Sequence, residues 1–332
     1  MGKERCLQAL RREKTDRTPW ILLPGAYGGK ASGCGAEAAL RDADQMAAAF
    51  LACRERYAPD GMAVLYDTTV EAECLGCDLT WSGDGLPAVA NHPLADTDEM
   101  LCRCMLPSEY DGRLPVILPA MQRIKEEAGA DTALIAPICG PFTMAYQLRG
   151  ERLLTEDLAG SPGYMQEILN YCAEAAFNML GLYIGAGMDV IALAEPVLHR
   201  VPTERMGQLL ADDYRAIFDL IRARGALSGL LAPGVSAAQL EALCNVGADW
   251  VSVGSALPAA EALAVTEKYP VCLGAGLEQG ALCSGDAAAA AEKVRGLRTA
   301  LEGHPAVLCG GEAVPYAAEE ETVLAAARAA CL

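Results

Sequence analysis

Short apolar runs recur along this chain with a helix-length amphipathic segment after nearly every one, and that alternation constrains the fold most. The candidate strands are Trp20–Leu23, Met62–Tyr66, Ala133–Ala136, Val190–Ala194, Ala226–Leu230, Trp250–Val253, Val271–Gly274 and Ala306–Cys309. In Glu204–Arg224, residues Met206, Leu209, Leu210, Ile217, Phe218 and Ile221 share one helical face, and Gly225 stands where a left-handed stop belongs. Ser236 and Gln239 have capping-box spacing at the next helix start. Asp286–Leu301 reads as an Ala-rich helix ended by Gly303. Repeated β-then-α order predicts a parallel sheet with helices outside, and about eight such units predict a closed (β/α)8 TIM barrel. No Ser/Pro-rich linker or charge block divides 1–332, so one domain is expected, with an irregular excursion around 78–115.

Composition narrows the function classes. A formal charge of −18 repels nucleic acid and anionic membranes, and no basic stripe offsets it. No apolar run is long enough to span a bilayer, and the first residues lack a signal-peptide core; a cytoplasmic location is the expectation. The fourteen Cys are then expected as reduced, mostly buried thiols and not as a disulfide framework. Cys74-x-x-Cys77 and Cys102-x-Cys104 are read the same way, because neither pair is matched into a metal site. Gly28-Gly29 and Gly274-x-Gly276 read as turn glycines, since neither builds a dinucleotide fingerprint or a phosphate loop.

Several motifs in fixed order carry a family resemblance. Lys3–Leu10 followed by Asp16-Arg17-Thr-Pro19 forms an opening helix and strand entry. Tyr66-Asp67 leads into Val70-Glu71-Ala72-Glu73 and Gly76; Gly140-Pro141-Phe142-Thr143 precedes Tyr146; Gly187-Met-Asp189 leads to Ala194-Glu195-Pro196; and Leu273–Glu278 closes the series. Taken together these resemble the uroporphyrinogen decarboxylase superfamily, which also holds the zinc-dependent cobamide methyltransferases. The segments around Asp67 and Gly140 are similar to the methyltransferase branch. The resemblance covers nearly the whole chain and implies a barrel of the uroporphyrinogen decarboxylase type.

The departures fall at functional positions. The methyltransferase branch has His-x-Cys-Gly fourteen residues, counted from the Cys, before the Gly of a Gly-Ala-Asp; here those places hold Leu231 and Pro233, ahead of Gly247-Ala248-Asp249. Neither is a zinc donor. The later Cys position of the family turn holds Glu312, with Cys309 three residues earlier. A decarboxylase carries an Arg-rich turn after the first strand, where this chain offers only Lys30. These departures argue against zinc and against a tightly bound cofactor, while Cys309 and Glu312 with Glu195 or His199 remain an alternative, non-standard metal set.

Four residues are read as candidate catalytic groups at the barrel mouth: Asp67, Tyr146, Glu195 and Glu312. For Asp67 an N-cap role at the helix beginning near Thr68 fits equally well. Lys30, His199, Phe142 and Cys309 are read as substrate-binding, His199 because imidazole titrates near neutrality. The resemblance implies a methyltransferase-like protein of corrinoid-linked one-carbon metabolism lacking the usual zinc site. Its partner would be a corrinoid protein, which would supply any corrinoid, or a small methyl donor or acceptor. A non-catalytic barrel that binds such a partner is the alternative, and tetrapyrrole decarboxylation is disfavoured by the missing cations. Homo-oligomerisation is left open.

Overall fold

A computed structural model describes residues 2–97 and 99–331. Ten strands form: β1 Ile21–Leu22, β2 Gly61–Ala63, β3 Leu79–Thr80, β4 Ala88–Val89, β5 Ala133–Cys139, β6 Val190–Ala194, β7 Leu227–Leu231, β8 Trp250–Ser252, β9 Cys272–Ala275 and β10 Ala306–Leu308. Eight of them make one parallel sheet in the order β1-β2-β5-β6-β7-β8-β9-β10. A parallel bridge from Trp20 to Leu308 joins its two edges, so the sheet is a closed TIM barrel. The expected strands all form; Val190–Ala194 has the expected bounds, Ala133–Ala136 is lengthened, and the others are shifted or shortened at their ends.

β5 is the instructive difference. It runs to Cys139, three residues past its expected end, and passes through Pro137. The carbonyl of Ile135 faces β2, where it accepts from Val64 N at 2.9 Å, so Pro137 faces the same side. β2 has ended at Ala63 by then. The N–H that proline lacks therefore has no ladder partner to lose, and the strand tolerates it.

The barrel interior is filled. Ile21, Ala63, Ile135, Ala192, Leu231, Trp250 and Val307 pack in it, and Cys6, Ala9 and Leu10 of the helix Gly2–Leu10 plug its lower end. Trp250 is the bulkiest of these; Gly229 is its register partner on β7, and on β9 its indole reaches Gly274, two residues past its register partner Cys272. A Cβ on either would meet the indole, so the two glycines make room for it.

The lower end is tied by carboxylates at strand starts. Asp60, 2% exposed, accepts from Arg5 at 2.6 Å, from Arg17 at 2.8 and 3.0 Å, and from Trp20 N at 3.0 Å. Asp189 accepts from Lys3, Lys125 and the Leu134 N–H. The motif residues Asp16, Arg17 and Asp189 thus serve the foundations of the barrel.

Helices follow the sequence pattern closely. Thr203–Ala223 ends before Gly225, whose φ is +84°. Ser236 and Gln239 complete both halves of their capping box. The excursion contains the antiparallel β3–β4 pair and the short turn Arg103–Met105, and it ends where the helix Leu114–Ala128 begins. One expectation is corrected there. Cys102 and Cys104, read as unpaired thiols, are joined by a disulfide, because the turn brings their Cα atoms to 5.2 Å. The other twelve cysteines are free. No described helix is long and apolar enough to cross a membrane.

Candidate functional site

Active sites of this architecture sit at the C-terminal ends of the strands, so the residues just beyond each strand decide the chemistry. After β2, Asp67 stands just before Thr68, the N-cap of the helix Thr69–Cys74, and its Oδ1 accepts from the first helical N–H, Thr69 N, at 2.9 Å and from Thr69 Oγ1 at 2.7 Å. Its Oδ2 accepts from Arg113 at 2.8 Å. Arg113 also holds Glu73 Oε2 at 2.8 Å and lies over the Trp81 ring. Asp67 is therefore a buried member of an ion-pair network. Arg113, forty-six residues away, carries no local signal that could have named it as the partner.

Glu195, after β6, is fully buried. It accepts from Phe142 N at 3.0 Å, Thr143 N at 2.8 Å, Thr143 Oγ1 at 2.6 Å and the Tyr214 hydroxyl. Phe142 and Thr143 open the helix Pro141–Arg149, so a carboxylate sits on the free N–H groups of a helix start. Gly140 is obligatory here, since a Cβ would overlap the Glu195 carboxyl. Burial pushes the Glu195 carboxyl upward and the four hydrogen bonds oppose it. The Gly-Pro-Phe-Thr and Ala-Glu-Pro motifs are thus two halves of one strap. Phe142 itself is buried in the core.

Tyr146 and His199 occupy more exposed ground. The Tyr146 hydroxyl donates to Glu151 at 2.8 Å, and the Arg200 guanidinium lies 5.5 Å from its ring centre. His199 is exposed, with Nδ1 3.1 Å from the Pro196 carbonyl. Lys30 donates to the carbonyls of Tyr316 and Ala318 at 3.0 and 2.9 Å.

The loop after β10 covers the barrel mouth. Tyr66 reaches from the β2 side to donate to the Gly311 carbonyl at 3.3 Å, and Ser252 Oγ donates to the Cys309 carbonyl at 3.0 Å. Gly276 lies against the backbone of Gly310, where a Cβ could not fit. Beneath this loop Leu231 is fully buried in the barrel interior, and burial lifts the Cys309 thiol to about 11, so it is neutral at ordinary pH. Glu312 projects from the loop, exposed, its carboxyl raised by partial burial. Among the described residues no three His, Cys, Asp or Glu side chains gather into a metal-binding group.

One carboxylate escaped the sequence reading. Glu71 is 1% exposed, and neither oxygen finds a hydrogen-bond partner among the described residues. Burial pushes its pKa to about 8. The helical pattern places Glu71 on Thr69–Cys74, and nothing local distinguishes it from the half-buried, ion-paired Glu73 that lies two residues on.

Comparison with known proteins agrees with this geometry. The family model described as uroporphyrinogen decarboxylase (URO-D) matches residues 1–330. Methylcobamide:CoM methyltransferase MtbA from Methanosarcina acetivorans is 27% identical over 199 residues, and that from Methanosarcina mazei 28%; each alignment covers 58% of this chain and 58% of the relative. A uroporphyrinogen decarboxylase from Nostoc punctiforme is 25% identical over 63% of this chain and 60% of its own. The chain thus spans less than two thirds of these relatives' lengths. A solved methyltransferase from Methanosarcina mazei shares the fold, with a TM-score of 0.87 over 99% of this chain and 98% of that one at 22% identity.

Proposed function

The chain belongs to the uroporphyrinogen decarboxylase family, and from that premise we propose that it serves corrinoid-linked one-carbon metabolism as a methyltransferase-like barrel without the usual zinc centre. The carrying observation is that the cations at the β1 and β2 ends are already committed: Lys30 to two carbonyls, Arg113 to Asp67 and Glu73. A tetrapyrrole with many carboxylates needs fixed positive partners, because an unpaired buried charge costs several kcal/mol. A methylated corrinoid or a small neutral methyl donor does not.

The donor set does not fit zinc. Leu231 and Pro233 offer no ligand atoms, and Glu312 stands where the family's later Cys belongs. Asp67 and Glu195 act on the site by holding helix starts and the Arg113 network in place. Glu312 is the carboxylate at the mouth open to exchange a proton, and its raised pKa favours acid or base work nearer neutrality. A corrinoid would come with a partner protein, and the exposed rim around Glu312, Tyr146 and His199 is the surface it would meet.

The loop over the mouth favours a second reading, a non-catalytic barrel that only binds such a partner. One experiment separates the readings. The protein is mixed with methylcobalamin and with a methylated corrinoid protein, with and without a thiol acceptor, and the cobalt absorbance is followed. Binding with thiol-dependent loss of the methylcobalt band supports transfer; binding alone supports the second reading. Absence of both, or conversion of uroporphyrinogen to coproporphyrinogen, overturns the proposal.

A further inference from the structure

The disulfide between Cys102 and Cys104 stands on the short turn Arg103–Met105, and both cysteines are exposed. The turn is held from two sides. From the helix Pro162–Gly185, the Tyr171 hydroxyl donates to the Cys102 carbonyl at 3.2 Å, Glu174 pairs with Arg103 at 2.6 Å, and Asn178 Nδ2 donates to the Pro107 carbonyl at 3.2 Å. On the other side Met105 lies against Gly76, where a Cβ would come within 3.2 Å of its Cε. The two sulfurs thus sit at the surface on a fixed frame.

A structural purpose does not account for this bond. A disulfide stabilises mainly by taking freedom from the unfolded chain, and that gain shrinks with the loop it closes. Here a single residue lies between the two cysteines, and the contacts above already hold the turn. The chain also keeps twelve free thiols, with Cys283 exposed among them, so it is not built around structural bridges. An exposed disulfide in such a chain is open to attack by other thiols. The surroundings also distinguish its two sulfurs. The Cys104 N–H donates to Cys102 Sγ at 3.2 Å, a contact that favours a thiolate there. Among the described residues no N–H is given to Cys104 Sγ.

We propose that Cys102 and Cys104 form a thiol–disulfide exchange site for low-molecular-weight disulfides and their thiols, with Cys102 as the attacking sulfur. In the reduced chain the Cys102 thiolate attacks one sulfur of the small disulfide. A bond to Cys102 Sγ forms, the disulfide bond of the reagent breaks, and one small thiolate leaves. Cys104 then loses its proton to solvent and attacks Cys102 Sγ, expelling the second small thiolate and closing the bond seen here. Two protein thiols are oxidised, one small disulfide is reduced, and the two protons end on the two small thiols. Excess thiol runs the same steps backwards. The site does not depend on the methyl-transfer reading.

The test follows every thiol in the whole chain. The protein is reduced, freed of reductant and exposed to 2-hydroxyethyl disulfide, and its remaining thiols are labelled and located by peptide mass spectrometry. Cys102 and Cys104 should lose their labels together, at least about ten-fold faster than the exposed Cys283, and regain them in excess 2-mercaptoethanol. In Cys104→Ser the resolving thiol is gone, so a mixed disulfide should accumulate on Cys102. In Cys102→Ser the remaining Cys104 should react about ten-fold more slowly than Cys102 does in the first variant. Alkylation rates against pH should place the Cys102 midpoint below that of Cys104, a difference that a purely structural bond would not produce. Oxidation of the pair no faster than Cys283, a bond that excess 2-mercaptoethanol does not open, or equal midpoints in the two variants would each overturn the site.

Discussion

Glu71 shows how far a single side chain can stand from its ordinary behaviour. Among the described residues its buried carboxyl has no hydrogen-bond partner, and burial pushes its pKa from an ordinary 4.5 to about 8. Between those values the folded chain holds a proton that the unfolded chain has released. The unfolded state then binds fewer protons, so stability falls as pH rises through this window and the penalty is complete above about 8. Glu71→Gln keeps the shape and removes the charge. The variant should match the unaltered chain at the acid end and exceed it by roughly 4 kcal/mol near pH 8. Denaturant midpoints measured across the range decide it: parallel pH profiles for the two proteins would sink the claim. Glu195 is the contrasting case, equally buried but given four donors by a helix start and a tyrosine. The same residue type is an acid held neutral at one place and a strap at the other, and only the surrounding donors make the difference.

At the scale of elements, the loop after β10 governs access to the barrel. Its backbone at Gly310 is pressed onto Gly276, and its Gly311 carbonyl takes the Tyr66 hydroxyl. Gly276→Ala places a methyl group inside that backbone, which cannot yield as a flexible side chain would. The variant should lose about 1–3 kcal/mol, the range for overpacking, and its residues 310–314 should exchange amide hydrogens faster. Unchanged stability together with unchanged exchange would mean that the loop does not seal the mouth.

For the molecule as a whole, the lower end is the foundation. Asp60 gathers Arg5 from the first helix, Arg17 from the strand entry and the Trp20 N–H beside the closing bridge. Asp60→Ala leaves two guanidinium groups facing a gap, and a loss of roughly 3–5 kcal/mol is expected. Because Asp60 ties the plug to the seam, the loss should appear as a lower midpoint of one cooperative transition. A change below about 1 kcal/mol would show the network to be dispensable. The architecture itself was legible from the chain. Short continuous apolar runs alternating with period-3.6 segments specify strands and helices locally, and eight repeats leave few ways to bury every apolar face. The motif order identified the family, and the capping box and glycine stops were read correctly because their geometry involves residues only a few positions apart. The site was legible only in part. Leu231 and Pro233 could be seen to lack donor atoms, since that is a property of the residue alone. The Arg113 partner of Asp67, the four donors on Glu195 and the isolation of Glu71 could not. Each depends on side chains tens to hundreds of positions apart, whose meeting is set by barrel closure and packing, and desolvation at such a meeting decides whether a carboxylate is a base, a buried acid or a strap.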